Sequence, residues 1–590
     1  MNNWLTRDGM DIGGSLDGRV ACEKTALPGG ETVYTFDFSW DPQEAAGQDD
    51  PCLSIQWYEP CLNILGAWHP LCEADRGPRV EWIGPLVSKT AFSAPVVSYY
   101  DDRDVNTFTV ALSELEKEVR MDFGVHEENG TLRCWITVPL LPFGRVSSYT
   151  LRLYIDRRPL PFRKALDGVR RWWEDTCGVQ PAPVPAEGRD ALYSTWYSYH
   201  QGVTAENVEA ECARAAELGF KMVIVDDGWQ TDDNHRGYAY CGDWEPSEKK
   251  FPDMAAHVAR VHALGMKYML WYSFPFVGCH SRAWERFQDK MLRLQEGGRV
   301  GVLDPRYPEV REYLKNTYVR ALKEWDLDGF KLDFVDNFSL SGWAEQKPGM
   351  DFLCVQEALD HMMKDILASL RAIKPDILIE FRQGYIGPNM RQYGNLFRVG
   401  DCPNSFVRNR VGMADLRLLG GGSAVHSDML MWHRDESVVN SAIQIENVLF
   451  ATLQLSVLLE GLSAEHREML RFWLGFMDRH RHLLLEGDFL PESHSFLYPV
   501  IRGEENDETV VARYSSQASV SVDAGRFRRV TVVNATKTEA VLLRFTGSRK
   551  YAVTLLDCCG REVSRETVVA GDHTPCLLTI PQGGLAVLEG

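Results

Sequence analysis

The sequence predicts a multidomain chain with a central (β/α)8 barrel of the TIM type, flanked by an N-terminal β-sandwich and a smaller C-terminal β-sandwich. Three observations predict it. Short runs alternating apolar with polar residues occupy both ends of the chain, the middle repeats strand, loop and helix, and the Pro-rich break QPAPVPAEG separates the first rhythm from the second. The implied boundaries are 1–160 for the first sandwich, 161–188 for a helix and linker, 189–487 for the barrel and 488–590 for the second sandwich.

The N-terminal strands are read from TVYTFDFSW, RVEWIGPLV, AFSAPVVSYY, NTFTVALSEL, LRCWITVPL and SYTLRLYI, which are separated by Gly, Pro, Asp and Asn. A helix follows from Phe162 to Cys177. From residue 190, LYSTWYSY, KMVIVDD, KYMLWYSF, FKLDF, ILIEF, LFRVG, AVHSDML and LQLSVLLEGL give eight strand candidates, the number a closed parallel barrel requires. Helical patterns stand between them, including one near 281–295. Glycines at ELGF, ALGM and LDGF suit left-handed helix caps. An open doubly wound sheet is the competing topology, but QGVTAEN follows the first strand where a Gly-rich phosphate turn would stand. The tail returns to short strands in ETVVARYS, RRVTVVNA, AVLLRF, YAVTLLD, CLLTI and GLAVLEG.

Composition narrows the function. With 590 residues, 45% of them hydrophobic and 11% aromatic, the chain has material for several buried cores. A formal charge of −20 argues against a nucleic-acid partner or an anionic membrane surface, and suits a small neutral ligand. No apolar run reaches membrane-spanning length, and MNNWLTRDGMDIGG lacks a basic segment followed by an apolar core. The 14 cysteines contain no CxxC pair, so free thiols in a reducing cytoplasm are expected. A pairing among Cys52, Cys61 and Cys72 is the less favoured alternative. The segment QWYEPCLNILGAWHP, with Trp57 and Trp68, is apolar for a loop. Packing a domain interface is its favoured reading, and covering a barrel mouth, its own or that of a second copy in a homo-oligomer, is the other.

The chemistry is concentrated in GFKLDF. On a strand, Lys331 and Asp333 share one face while Leu332 and Phe334 point to the other. Buried charges are costly unless paired or used, so the pair reads as a nucleophile with its cation or as a structural ion pair. The other strand ends decide between these. In order they carry Trp196, Tyr197 and Tyr199; Asp226, Asp227 and Trp229, with Asp243 and Trp244 in the following loop; Trp271 and Tyr272; Glu380, Arg382 and Gln383; Arg398 and Asp401; and His426 and Asp428. Chemistry in such barrels gathers at these ends. Carboxylates grip hydroxyls and flat aromatic faces cover a pyranose, so the set points to a sugar site.

Taken together, VIVDDGWQ, GDWEP, FKLDF and FRVGDCPNS resemble the α-galactosidases of glycoside hydrolase family 36, across the barrel closely and the flanking domains in outline. The resemblance implies a retaining, exo-acting α-galactosidase that needs neither metal nor organic cofactor. By that likeness Asp333 is the nucleophile and Lys331 binds sugar hydroxyls and keeps Asp333 ionised. Asp226 and Asp227 hold O4 and O6, Trp244 and Trp271 wall the pocket with Trp196 a further candidate, and Asp401 is the acid/base beside Arg398. Asp401 is expected to titrate high, from a drier or acidic setting. Two departures stand out. IEFRQGY replaces a Gly-rich, Cys-containing segment at the end of strand five, which makes Arg382 the O2-side contact. Position 402, where some relatives carry the acid/base, is Cys. The alternatives are an α-N-acetylgalactosaminidase, a galactosyl transferase on the same scaffold, or a non-catalytic sugar-binding barrel.

Overall fold

The computed structural model describes all residues except 47, 144–145 and 341–344. Eight parallel strands run around its centre: Leu192–Ser194, Met222–Val225, Lys267–Ser273, Gly329–Asp333, Leu378–Arg382, Leu396–Arg398, Ala424–His426 and Gln454–Leu455. Each pairs with its sequence neighbours. The eighth returns to the seventh through bridges at His426–Thr452 and Leu430–Leu455, which close the barrel. The doubly wound alternative is excluded, because an open sheet has two unpaired edges.

The inward faces are layered by the two-residue period of a strand. Leu192, Met222, Leu378, Leu396 and Ala424 share one buried apolar cluster on the barrel floor. Two residues further along the later strands, the same face carries Glu380, Arg398 and His426, beside Lys331. The floor is therefore dry, and charge begins one layer above it. Helices Ala205–Leu218, Met254–His262, Pro308–Trp325, Val355–Ile373, Phe406–Gly420 and Ala464–Arg479 pack around the outside. Thr204 and Asn207 close a reciprocal capping box at the first of these, worth about 1 kcal/mol.

Two six-stranded antiparallel sheets form the N-terminal sandwich around Ile12, Phe36, Leu53, Trp57 and Phe123. A seven-stranded and a three-stranded sheet enclose a second core around Val511, Val532 and Phe545 at the other end. Helix Phe162–Thr176 buries Trp172 and Trp173 in a cluster that also holds Trp68 of the sandwich and Leu418 of the barrel. The QWYEPCLNILGAWHP segment thus splits. Trp57 belongs to the sandwich core, and Trp68 packs the domain interface, as its favoured reading has it.

Asp415, on barrel helix Phe406–Gly420, fixes that interface. It takes a bidentate Arg76 (3.1 and 2.9 Å), the Trp68 indole N–H (3.0 Å) and the Tyr498 hydroxyl (2.6 Å), all buried. One carboxylate thereby ties both flanking regions to the barrel. The cysteines are unpaired, including Cys52, Cys61 and Cys72. No helix among the described residues is long and apolar enough to cross a membrane.

Three local expectations change. The helix near 281–295 is short, Arg282–Phe287, and MLRLQ becomes a strand paired with Val300–Leu303, whose other edge pairs with Phe276–Gly278, because its alternating residues find VGVL as a partner. Strand one stops at Ser194. The chain then coils through Trp196–Tyr199, whose backbone N–H groups at 197 and 198 are caught by Ser456 Oγ. The left-handed cap is Asp326, just before LDGF, and Gly329 is already strand. A Cβ there would meet the Leu378 carbonyl oxygen at 2.3 Å, so glycine is needed for strand five to approach.

Candidate active site

Asp333 ends strand four and is almost buried. Its Oδ1 accepts from the Phe334 backbone N–H (2.8 Å) and lies 2.8 Å from Arg382 Nε, with the Tyr385 hydroxyl at 3.3 Å. Its Oδ2 accepts from the Trp271 indole N–H at 3.3 Å. Phe334 has φ 64°, a left-handed conformation that costs a side-chain residue about 1 kcal/mol or more. That turn is what points the Phe334 N–H back at the carboxylate. The local strain positions the nucleophile candidate.

Lys331 does not partner Asp333. Its ammonium lies 2.5 Å from Asp226 Oδ2, with both side chains buried. The cation on Asp333 is Arg382, from strand five. Sequence spacing placed Lys331 and Asp333 on one face correctly, but the cross-barrel pairing depends on which side chain reaches which, and Lys331 is drawn to strand two.

Asp226 and Asp227 leave strand two in succession. Gly228 follows at φ 117°, and a Cβ there would strike Gln201 Cα at 2.4 Å, so the Asp-Asp-Gly turn admits only glycine. That close approach lets Gln201 donate to Asp227 Oδ2 (2.8 Å) while Gln230 donates to Oδ1 (2.7 Å). Burial, reinforced by the Asp226 charge, outweighs these two donors and raises Asp227 to about 6.

Arg398 is 1% exposed and sits among three carboxylates: Asp428 (2.5 Å), Asp401 (2.8 Å) and Glu380 (3.7 Å). Asp428 also accepts from the Cys402 backbone N–H (2.7 Å) and the Tyr197 hydroxyl (3.0 Å). Burial pushes Glu380 and Asp428 up, against the opposing field of Arg398. Asp401 behaves differently. Burial would raise it too, but Arg398, then Lys331 and Arg382, bring it down to about 2. Its side chain is 42% exposed, so solvent also supports the charge. The expectation that Asp401 titrates high is therefore overturned for the unliganded site, because three cations face it. Cys402 is no rival as an acid/base: it is buried, and burial together with Asp428 pushes its thiol up.

The aromatic wall also differs. Trp271 borders the site through its N–H on Asp333, and Tyr238 stacks beside it (6.2 Å) and against Phe334. Trp244 is 1% exposed, wedged among Trp229, Trp271 and Tyr272 behind that layer. It supports Trp271 and has no face free for a ligand. Trp196 is half-buried on the turn after strand one, edge-on to His200. Tyr238, Tyr385, Gln201 and Gln230 escaped sequence reasoning. Each comes from a loop whose path is set by tertiary contacts; Gln201, Gln230 and Tyr385 stand in QGVTAEN, VIVDDGWQ and IEFRQGY, but nothing local shows that they reach the carboxylates.

Residues 182–384 match the melibiase family model. Among curated proteins, the bifunctional α-galactosidase/sucrose kinase AgaSK of Mediterraneibacter gnavus is 23% identical over 386 residues, 62% of this chain and 39% of that protein. α-Galactosidase Mel36A of Lactobacillus acidophilus is 29% identical over 206 residues, 32% of this chain and 27% of its own length. The matched segments thus span well under half of those relatives. Among solved structures, a family 36 α-galactosidase AgaA variant from Geobacillus stearothermophilus, in complex with 1-deoxygalactonojirimycin, superposes with a TM-score of 0.66 at 15% identity. That alignment covers 99% of this chain and 82% of the other. A second AgaA variant, in complex with raffinose, gives 0.66 at 15% identity, with 100% and 84% covered. The three-part fold is therefore that of the family 36 enzymes.

At the mouth of the barrel, six carboxylates (Asp226, Asp227, Asp333, Glu380, Asp401 and Asp428) share three cations, Lys331, Arg382 and Arg398. Not all six can be ionised cheaply in so dry a place. The excess is relieved where burial is deepest, at Asp227, Glu380 and Asp428, whose proton affinities rise. The site therefore keeps acceptors for hydroxyls and a reserve of protons in one cluster.

Proposed function

We propose that the chain is a retaining exo-α-galactosidase acting on small neutral α-galactosides. One observation carries the reading: Arg382, ion-paired with Asp333, lines the same cavity as Asp401, while Lys331 of the Asp333 strand is ion-paired with Asp226. In this mechanism Asp333 attacks the anomeric carbon as the bond to the leaving oxygen breaks, and Asp401 delivers the proton that oxygen takes up. Water then attacks the same carbon, Asp401 accepts its proton, and Asp333 is released with net retention. Asp401 enters the second step in the form the resting site favours. For the first step it must gain a proton, which substrate binding assists by covering its exposed face.

Asp226, held by Lys331, and Asp227, held by two glutamines, serve as acceptors for sugar hydroxyls. Trp271 and Tyr238 supply apolar ring faces. The raffinose seen with the AgaA variant supports an oligosaccharide substrate class. Unpaired cysteines support a reducing, cytoplasmic setting. The deciding experiment follows hydrolysis of an aryl α-galactoside by proton NMR. α-Galactose as first product, and loss of turnover in Asp333→Ala, are expected; β-galactose first, or full activity without Asp333, refutes the mechanism.

A second reading, an α-N-acetylgalactosaminidase, is favoured by Arg382 itself. The group beside a nucleophile faces the C2 substituent, and a guanidinium donates equally well to a hydroxyl or to an acetamide carbonyl. Comparing kcat/KM on the two aryl glycosides separates them.

A further inference from the structure

The end of the barrel opposite the catalytic mouth carries a cavity of about 240 Å³. Arg189, Arg417, Ser423, Thr452 and Glu486 line it, together with the glycine loop 421–422. Arg189 precedes strand Leu192–Ser194, Ser423 precedes Ala424–His426 and Thr452 precedes Gln454–Leu455, so these residues share the N-terminal rim of the barrel. The catalytic reading uses only the other rim.

Four groups here lack the partners that burial demands. Arg189 and Arg417 are half-buried, and among the described residues neither is ion-paired. Arg189 donates to the Gly422 carbonyl (2.8 Å), and Arg417 to the carbonyls of Phe450 (3.0 Å), Leu484 and Leu485 (3.2 Å). These contacts aim the two side chains but supply no counter-charge. Burial, then the field of Arg189, brings Arg417 down to about 9. Burial lowers Arg189 as well, and exposed Glu486 is the carboxylate that opposes it. Ser423 is 8% exposed and Thr452 2%, and among the described residues neither hydroxyl has a hydrogen-bond partner.

Water would satisfy two hydroxyls but not two cations, whereas an oxyanion satisfies both. Helix Phe406–Gly420 turns its negative end toward the loop. That opposes an anion modestly, against two full positive charges. We propose that this cavity is an anion site for a phosphate group, free or on a small phosphate ester. Arg189 and Arg417 supply the charge, and Ser423 and Thr452 donate to phosphate oxygens. A second cavity of about 260 Å³ shares the walls formed by Arg189, Thr452 and Leu485. Leu449, Leu453 and Leu474 give it an apolar bed for the organic part of an ester. Its acids Asp190 and Asp478 are both taken by Arg481 (2.5 and 3.2 Å), so they leave the anion site unopposed. The two cavities together fall within the range of small-molecule sites, about 300–1,000 Å³. The inference stands apart from the galactosidase reading.

The test is calorimetric titration of the full chain at low ionic strength, with inorganic phosphate and with glucose 6-phosphate. Saturable one-site binding of phosphate is expected. Tighter binding of the ester identifies an ester as the ligand, and equal or weaker binding identifies free phosphate. Arg189→Met and Thr452→Val should each weaken binding about tenfold or more. Thr452→Val removes a hydroxyl that has no partner in the unliganded fold, so its urea midpoint should not fall. A merely structural threonine would show the reverse, lost stability and unchanged binding. Failure of the wild type to bind either probe overturns the site. Binding that persists unchanged in either variant also overturns it, because phosphate would then be held elsewhere, such as at the cations of the mouth.

Discussion

Removing Asp401 should separate catalysis from stability. Among the described residues its ion pair is with Arg398, and its side chain is 42% exposed, so solvent screens the pair and the loss in stability should be about 1 kcal/mol or less. The catalytic loss should be far larger. General acid catalysis contributes about 10²–10⁴-fold, or about 3–5 kcal/mol of barrier, where the leaving group is a sugar hydroxyl. Asp401→Ala should therefore lose that factor on melibiose, yet still form the galactosyl intermediate from α-galactosyl fluoride, since fluoride departs without a proton. Breakdown of the intermediate should then limit the rate, and azide, needing no general base, should accelerate it and yield α-galactosyl azide, the product of a second inversion. The pH profile supplies a second check. A general acid works only when protonated, and with Asp401 near 2 in the free site, rising pH removes the active form. The wild-type kcat/KM on melibiose should fall as pH rises, and that limb should vanish in Asp401→Ala. Equal losses on melibiose and fluoride, with no azide rescue, would refute the assignment.

Arg398→Met should behave in the opposite way. It strands Asp428, Glu380 and Asp401 without their shared buried cation, so unfolding in urea should show a loss of about 3–5 kcal/mol. Asp227 gives a pH signature: raised to about 6 in the fold, it binds its proton more tightly there than in the unfolded chain. Its contribution is full below about pH 4 and is lost as pH rises to about 6, a change of about 3 kcal/mol. The difference in urea stability between wild type and Asp227→Asn, followed from pH 4 to 7, should show that slope; a flat difference would remove the shift. Asp415→Ala leaves Arg76 buried without its counter-charge and should cost about 3–5 kcal/mol in urea unfolding; a loss under about 1 kcal/mol would show that the interface does not depend on the pair.

Much of this molecule is legible in one dimension. The eight strands were visible because each is a short apolar run followed by polar residues, and the strand ends were visible because function needs acids and aromatics there. Asp226, Asp227, Lys331, Asp333, Arg382, Arg398 and Asp401 all reach the barrel mouth or line its wall, as the strand register requires. The 281–295 segment was misread because its apolar spacing suits a helix face as well as a strand, and only its pairing with Val300–Leu303 selects the strand.

The sequence by itself determined which residues point into the barrel, because alternation along a strand is a local property of the backbone. It could not determine which charge meets which. Lys331 shares a face with Asp333 yet pairs with Asp226, and the cation on Asp333 arrives from strand five. Pairing, burial and hence proton affinity depend on distances between strands remote in the chain, so Asp401, next to Arg398 in its own motif, is also lowered by Lys331 and Arg382 from other strands. The same holds for the cavity beside it, whose walls come from positions as far apart as Ala74, Val411 and Leu497. Only the closed barrel and its docked flanking domains bring those residues together.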